Sequence, residues 1–282
     1  MIKKLTFVLL ILTSMASWAQ ESVVFKTKFK PNKKYKTQVK TTSYTEIEFI
    51  ADQEIMDRLK SQGVELPIIT ESETNMSTDI ITHELDKNGE FTATMEYGKM
   101  ISNTTINGKT TTEEKPYSGM KILGKYDVDN KFKVDSIIGE KVSQQMRTVL
   151  KTTLESVQQA IKFPEKPMKV GETFTSEIPM TIPMEGMNPI SVKIDIEYLL
   201  TEIKEGKAFF DIKQTVGLDM SQEQLNIIAS GTGAGTAQFD IKENFLTKYQ
   251  SELPMSMTIK INEKMTMKMK STTTSEQNVV IE

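Results

Sequence analysis

Leu253-Pro254-Met255-Ser256-Met257-Thr258-Ile259-Lys260-Ile261-Asn262-Glu263-Lys264-Met265-Thr266-Met267-Lys268-Met269 decides the fold class. Apolar residues fall on one parity: Leu253, Met255, Met257, Ile259, Ile261, Met265, Met267 and Met269. The other parity carries Ser256, Thr258, Lys260, Asn262, Lys264, Thr266 and Lys268. Side chains alternate across a strand, so this period of two predicts strand with one buried face. A two-residue loop at Asn262-Glu263 would turn the second methionine run onto the lysine face. A three-residue loop, Asn262 to Lys264, would keep one apolar face. The segment therefore reads as one long strand or as a hairpin with an odd loop.

The same alternation extends outward along the chain. Tyr35, Val39, Ile47 and Phe49 share a parity, as do Phe91, Ala93, Met95 and Tyr97. Further strands follow at Phe174–Met184, Val192–Leu200 and Phe210–Met220. Pro179 and Pro183 cannot donate ladder hydrogen bonds, which predicts an edge strand or bulge there. Asn107-Gly108 signals a tight hairpin, because a type I′ turn needs positive φ. Gly231-Thr232-Gly233-Ala234-Gly235 lacks the strand-then-helix setting of a dinucleotide loop and reads as a sharp bend in a strand or a close approach of another element.

One long segment has a different period. Ile138, Val142, Met146, Val149, Leu150, Leu154, Val157 and Ile161 are spaced for one face of a helix over 137–162, ending before Pro164. A shorter helix is expected from Asp52 to Gln62, capped by Asp52 and stopped by Gly63. The chain also resembles itself. Tyr126-Asp127-Val128-Asp129-Asn130-Lys131-Phe132 matches Phe239-Asp240-Ile241-Lys242-Glu243-Asn244-Phe245, and Glu84–Phe91 matches Glu202–Phe209 in the same order. Such self-similarity points to a duplicated unit. The expectation is a mainly β, α+β protein: two related curved antiparallel sheets, 20–163 and 164–282, packed around one long amphipathic helix.

Residues 1–19 read as a secretory signal peptide: basic Lys3-Lys4, an apolar run from Leu5 to Met15, then Ser17-Trp18-Ala19 before the cut. Removing them takes away two lysines and no acid, leaving 33 Lys+Arg against 38 Asp+Glu. That balance is too mild and mixed for a nucleic-acid partner. No later apolar run is long enough to form a transmembrane helix. Periplasm or exterior is the expected compartment. The chain has no cysteine, so neither a disulfide nor a lipidated cysteine is available.

The linker Phe163-Pro164-Glu165-Lys166-Pro167-Met168-Lys169-Val170-Gly171-Glu172-Thr173-Phe174 resembles a recurrent segment of a family of exported Bacteroidota proteins, a domain of unknown function. That segment often ends in tryptophan where Phe174 stands here, and the resemblance implies no activity. A curved antiparallel sheet against a helix is similar, in architecture alone, to periplasmic lipoprotein carriers of the half-barrel type.

The composition argues against most catalytic chemistry. There is no cysteine and one histidine, His83, expected on an inward strand position between Ile81 and Leu85. Asp127-Val128-Asp129-Asn130 opens like a calcium loop but lacks its glycine and closing glutamate, and reads as a hairpin turn. Ser118-Gly119-Met120-Lys121 has no companion motif. No catalytic, metal or cofactor residue is assigned. The candidate site is an apolar-ligand groove lined by Met180, Met184, Met220, Met255, Met257, Met265, Met267 and Met269, since thioethers adapt to irregular partners. The alternatives are that these methionines fill an ordinary core, or that the chain is a structural or protein-interaction module of the envelope. An outer-membrane barrel fits the alternation but lacks aromatic girdles.

Overall fold

The computed structural model describes residues 22–157, 163–182, 190–218 and 227–282. The chain runs β1 (Ser22–Val23), β2 (Lys34–Ala51), α1 (Gln53–Ser61), β3 (Ile68–Leu85), β4 (Phe91–Tyr97), β5 (Ile101–Ile106), β6 (Lys109–Glu114), β7 (Lys121–Tyr126) and β8 (Phe132–Ile138). Then come α2 (Gln144–Val157), β9 (Met168–Lys169), β10 (Thr173–Ile182), β11 (Ile190–Lys204), β12 (Lys207–Leu218), β13 (Ile227–Asp240), β14 (Phe245–Asn262) and β15 (Met265–Ile281).

Thirteen strands form one antiparallel sheet in the order β10-β11-β12-β13-β14-β15-β2-β3-β4-β7-β8, with the β5–β6 hairpin branching from β3. The sheet does not close. This corrects the expectation of two sheets around a helix. The halves merge because β15 pairs with β2 from Met265↔Ala51 to Ile281↔Tyr35. Lys34 and Glu282 exchange two backbone bonds at the end of that ladder, 3.0 and 2.9 Å.

The long helix is also corrected. Ser136 to Ile138 continue β8, so α2 starts only at Gln144. It lies against the end of the first half, where Met146, Leu150 and Leu154 pack on the cluster of Phe91, Ile122, Tyr126 and Val142. The Arg147 guanidinium donates to the carbonyls of Ile137 and Gly139, tying the helix to the strand before it. Val149, expected to face inward, is 59% exposed. Residues 158–162 of the expected helix lie outside the described residues. The short helix forms as expected: Asp52 Oδ1 accepts from Ile55 N at 3.1 Å.

The sheet has an apolar and a polar face. Two larger clusters occupy opposite ends of the apolar face. In the second half, Phe174, Ile196, Tyr198, Leu200, Phe210, Phe239 and Met257 share one cluster with Phe25. The first-half cluster lies under α2. Between them the apolar-face positions turn to hydroxyls. Ser251, Ser275, Thr41 and Thr74 stand in one register row, and Thr273, Ser43 and Ser72 in the next. Ser43 and Ser72 hydroxyls lie 2.8 Å apart.

The segment 24–33 threads along this face. Phe25 enters the second-half cluster, with ring centroids 5.2 Å from Phe210 and 5.3 Å from Phe239. Phe29 sits at the junction, 4.8 Å from both Tyr35 and Tyr126 and 5.0 Å from Phe245. The two turns that resemble each other in sequence grip this segment. Asn130 Oδ1 accepts from Phe29 N and its Nδ2 donates to Phe29 O, both at 2.8 Å. Asn244 O accepts from Lys28 N at 2.9 Å. Both asparagines hold left-handed φ, 61° and 54°, a conformation their short polar side chains tolerate.

Two variants separate the two ends of the predicted stripe. Val142 is 5% exposed, so Val142→Asp buries an unpaired charge and is expected to cost several kcal/mol. Val149→Asp is expected to stay within about 0.5 kcal/mol of the parent, as exposed positions do. Chemical denaturation of both variants checks this.

Candidate functional site

The methionine face forms as one surface, by a route neither loop reading anticipated. The β14–β15 loop is two residues, Glu263-Lys264, and Asn262 pairs with Met265. A register shift between Lys260 and Asn262 bulges Ile261. That one extra residue restores the parity a two-residue loop would have broken. Met257 then lies opposite Met269, Ile259 opposite Met267, and both rows continue onto Ile47 and Phe49 of β2.

Met257 and Met267 are buried, at 2% and 6% exposure, inside the second-half cluster. Met255 and Met269 are half-buried and pack on it; Met265 is half-buried at the hairpin. Met180 belongs to β10, opposite Val192. Its side chain, and all of Met184 and Met220, lie outside the described residues. Met255 borders a cavity of about 590 Å³ whose other walls, Tyr44, Glu46, Ser256 and Lys270 among them, belong to the polar parity.

The second half curls toward its apolar face at β13, where the glycine run sits. A Cβ on Gly233 would stand 2.5 Å from Glu252 O and 2.8 Å from Gln214 Oε1. β12 and β14, which flank β13, approach within 8 Å between Cα atoms. The bare strand lets Gln214 reach across it: its Nε2 donates to Tyr249 Oη at 3.2 Å. Gln214 is 5% exposed and its Oε1 has no hydrogen-bond partner.

Buried phenols punctuate both clusters. Burial pushes Tyr198 up to about 12, with a smaller contribution from Tyr249. Burial also raises Tyr126 far above the ordinary phenol range. His83, expected inward, is exposed. Ile80 and Thr82 take the inward positions, and Thr82 Oγ1 donates to Lys30 O at 2.6 Å and accepts from Lys33 N at 2.9 Å. The Asp127 carboxylate accepts from Lys131 N at 2.9 Å and Asp129 N at 3.0 Å. These bonds hold its pKa below the usual range, the one to Lys131 most, and make the segment a turn. Among the described residues no group of three or more His, Cys, Asp or Glu could hold a metal ion.

The feature that sequence reading passed over is on the opposite face. Two cavities, of about 470 and 400 Å³, share Glu276 and Asn278 and open on the polar face across β11 to β3. Their amide and charged side chains fill the polar parity of each strand, the pattern of an ordinary solvated face. Only register brings them into rows.

No protein-family model and no curated protein matches this chain. Similar solved structures include the translocator domain of the autotransporter NalP from Neisseria meningitidis, with 7% identity, a TM-score of 0.23 and 88% of each chain covered. The Salmonella type III injectisome secretin InvG gives 7% identity and a TM-score of 0.22, over 99% of this chain and 65% of that one. Pseudomonas aeruginosa OccK7 gives 5% identity and a TM-score of 0.24, over 89% and 99%. These likenesses are consistent with an envelope protein and, at such TM-scores, carry no argument for one. Among the described residues no helix is long and apolar enough to cross a membrane, which says nothing of strands.

Two measurements test the packing. Gly233→Ala is expected to lower stability by about 1–3 kcal/mol through overpacking. Gly217→Ala, where a Cβ meets nothing within 4 Å, should leave it unchanged or slightly raised. Melting both variants checks the pair. The phenols predict an alkaline limit. A folded pKa raised above the unfolded value of about 10 contributes stability that is whole below pH 10 and lost as pH rises toward 12. Tyr198→Phe should therefore flatten part of the fall in melting temperature across that window, leaving the share due to Tyr126.

Proposed function

We propose that this chain is an exported, non-enzymatic envelope protein whose single long sheet serves as a structural and interaction module. Export rests on the signal-like residues 1–19. The observation that carries the module reading is the placement of Met257 and Met267, 2% and 6% exposed within a cluster that also holds Phe25, Phe210 and Phe239. Side chains so enclosed act as core filler, for which an unbranched thioether is well suited. A second reading, carriage of a lipid or acyl chain in a methionine-lined groove, is favoured by the half-buried Met255, Met265 and Met269 at the same end of the sheet.

One double variant separates the two. In a packed core, Met257→Ala and Met267→Ala each remove buried atoms and leave voids, costing roughly 2–5 kcal/mol apiece. The expected outcome is a large drop in melting temperature, with no uptake of an environment-sensitive apolar dye by the parent. Uptake by the parent that the double variant loses, with melting unchanged, would establish the carrier reading instead.

A further inference from the structure

We infer that the polar face carries a binding trough for an uncharged, polyhydroxylated chain, a neutral glycan. The inference rests on the module reading and names a ligand class for it.

Strand register builds the trough. One row runs Phe209, Gln238, Lys248, Asn278 and Gln38 across β12, β13, β14, β15 and β2. The neighbouring row runs Asp211, Thr236, Gln250, Glu276 and Lys40 across the same strands. Glu202 extends the first row to β11 and Ser77 extends it to β3. The two cavities that share Glu276 and Asn278 lie over these rows. Six strand spacings of about 4.8 Å make the floor roughly 29 Å long.

The chemistry selects the ligand. The charged lining is mixed in sign: Glu202, Asp211 and Glu276 stand against Lys99, Lys248 and Lys40, the last already paired with Glu73 at 3.0 Å. A strongly anionic or cationic ligand therefore gains little from net charge. The side chains of Gln38, Gln250 and Asn278 have no hydrogen-bond partner among the described residues, nor do Glu202, Asp211, Glu276 and Lys248 have an ion-pair partner there. Amides offer a donor and an acceptor together, as a hydroxyl needs, and carboxylates add acceptors. At one end half-buried Phe209 forms part of the wall and supplies an apolar ring against which a sugar face can rest. The floor has few apolar side chains to receive those of a peptide. The trough also crosses strands that are already paired with a neighbour on each side, so a peptide cannot join it as a strand.

The test is isothermal titration of the full chain with neutral linear hexasaccharides (cellohexaose, maltohexaose, xylohexaose and chitohexaose) and with an uncharged Gly/Ser peptide, each at low and high salt. The expected result is saturable binding of at least one hexasaccharide with little salt dependence. Gln250→Ala and Asn278→Ala should each weaken it about tenfold, about 1.4 kcal/mol, with melting unchanged. Thr273→Ala, on the opposite face, should bind as the parent does. No hexasaccharide binding at millimolar concentration, binding of the peptide alone, or full affinity in both trough variants would overturn the inference. Those failures leave the module reading standing, because that reading falls only to dye uptake on the methionine face.

Discussion

The antiparallel ladder between β15 and β2 is the constraint on which the rest of the structure depends. The second half is a meander from β10 to β15, and the first half runs β2-β3-β4-β7-β8 with the β5–β6 hairpin set off from β3. The ladder engages all 17 residues of β15 and makes the two halves one surface. It also sets the register of everything beyond it, because a slip of one residue would exchange the faces of an entire half. The segment 24–33 reinforces the seam from the apolar face. It seats Phe25 in one half and stacks Phe29 between Tyr35, Tyr126 and Phe245, so aromatic packing and backbone pairing hold the same junction.

Local features were legible in the sequence and non-local ones were not. Period-two patterning located the strands, because burial of one face selects side chains two apart whatever the partner strand is. Asn107-Gly108 forms its hairpin, with φ of 45° and 80°, because backbone sterics alone restrict who can turn there. The glycine run at 231–235 lies within β13, where a Cβ would crowd neighbouring strands, and β10 with its Pro179 is an edge. The seam could not be read. Ile281 and Tyr35 are far apart in sequence, and many Thr-rich strands here could have matched β15 equally well. The start of α2 was misjudged because Ser136-Ile137-Ile138 fits both periods, and the strand reading wins where β7 offers a partner.

The site was legible only in part, for a related reason. Parity revealed that the methionines share a face, and the Ile261 bulge preserved that. Parity does not reveal what lies above a face. Met257 and Met267 are enclosed because they pack into the second-half cluster with Phe25, Phe210 and Phe239, and the glycines of β13 leave room for close approach of β12 and β14 side chains and backbone. His83 shows the same limit at smaller scale. Its strand alternates as expected, but the inward phase belongs to Thr82, whose hydroxyl ties down the chain at Lys30 and Lys33.

The two faces divide the physical work of the sheet, and the hydroxyl band shows why they can. A continuous apolar face this long would expose a large hydrophobic surface wherever no helix or loop covers it, and exposed patches of that size promote association. Ser43, Ser72, Thr74 and Thr273 stand where the two larger apolar clusters would otherwise meet. Pairs such as Ser43–Ser72 and Thr74–Ser102 satisfy one another's hydroxyls across the ladder, at 2.8 and 3.1 Å. Thr and Ser thus keep the strands paired at the seam without calling for a cover, as β-branched hydroxyls on a half-wet sheet can. Stability comes from the covered ends and the seam. The opposite face carries little of it, and its exposed Gln, Asn, Asp and Glu side chains are free to meet a ligand without unfolding what holds them.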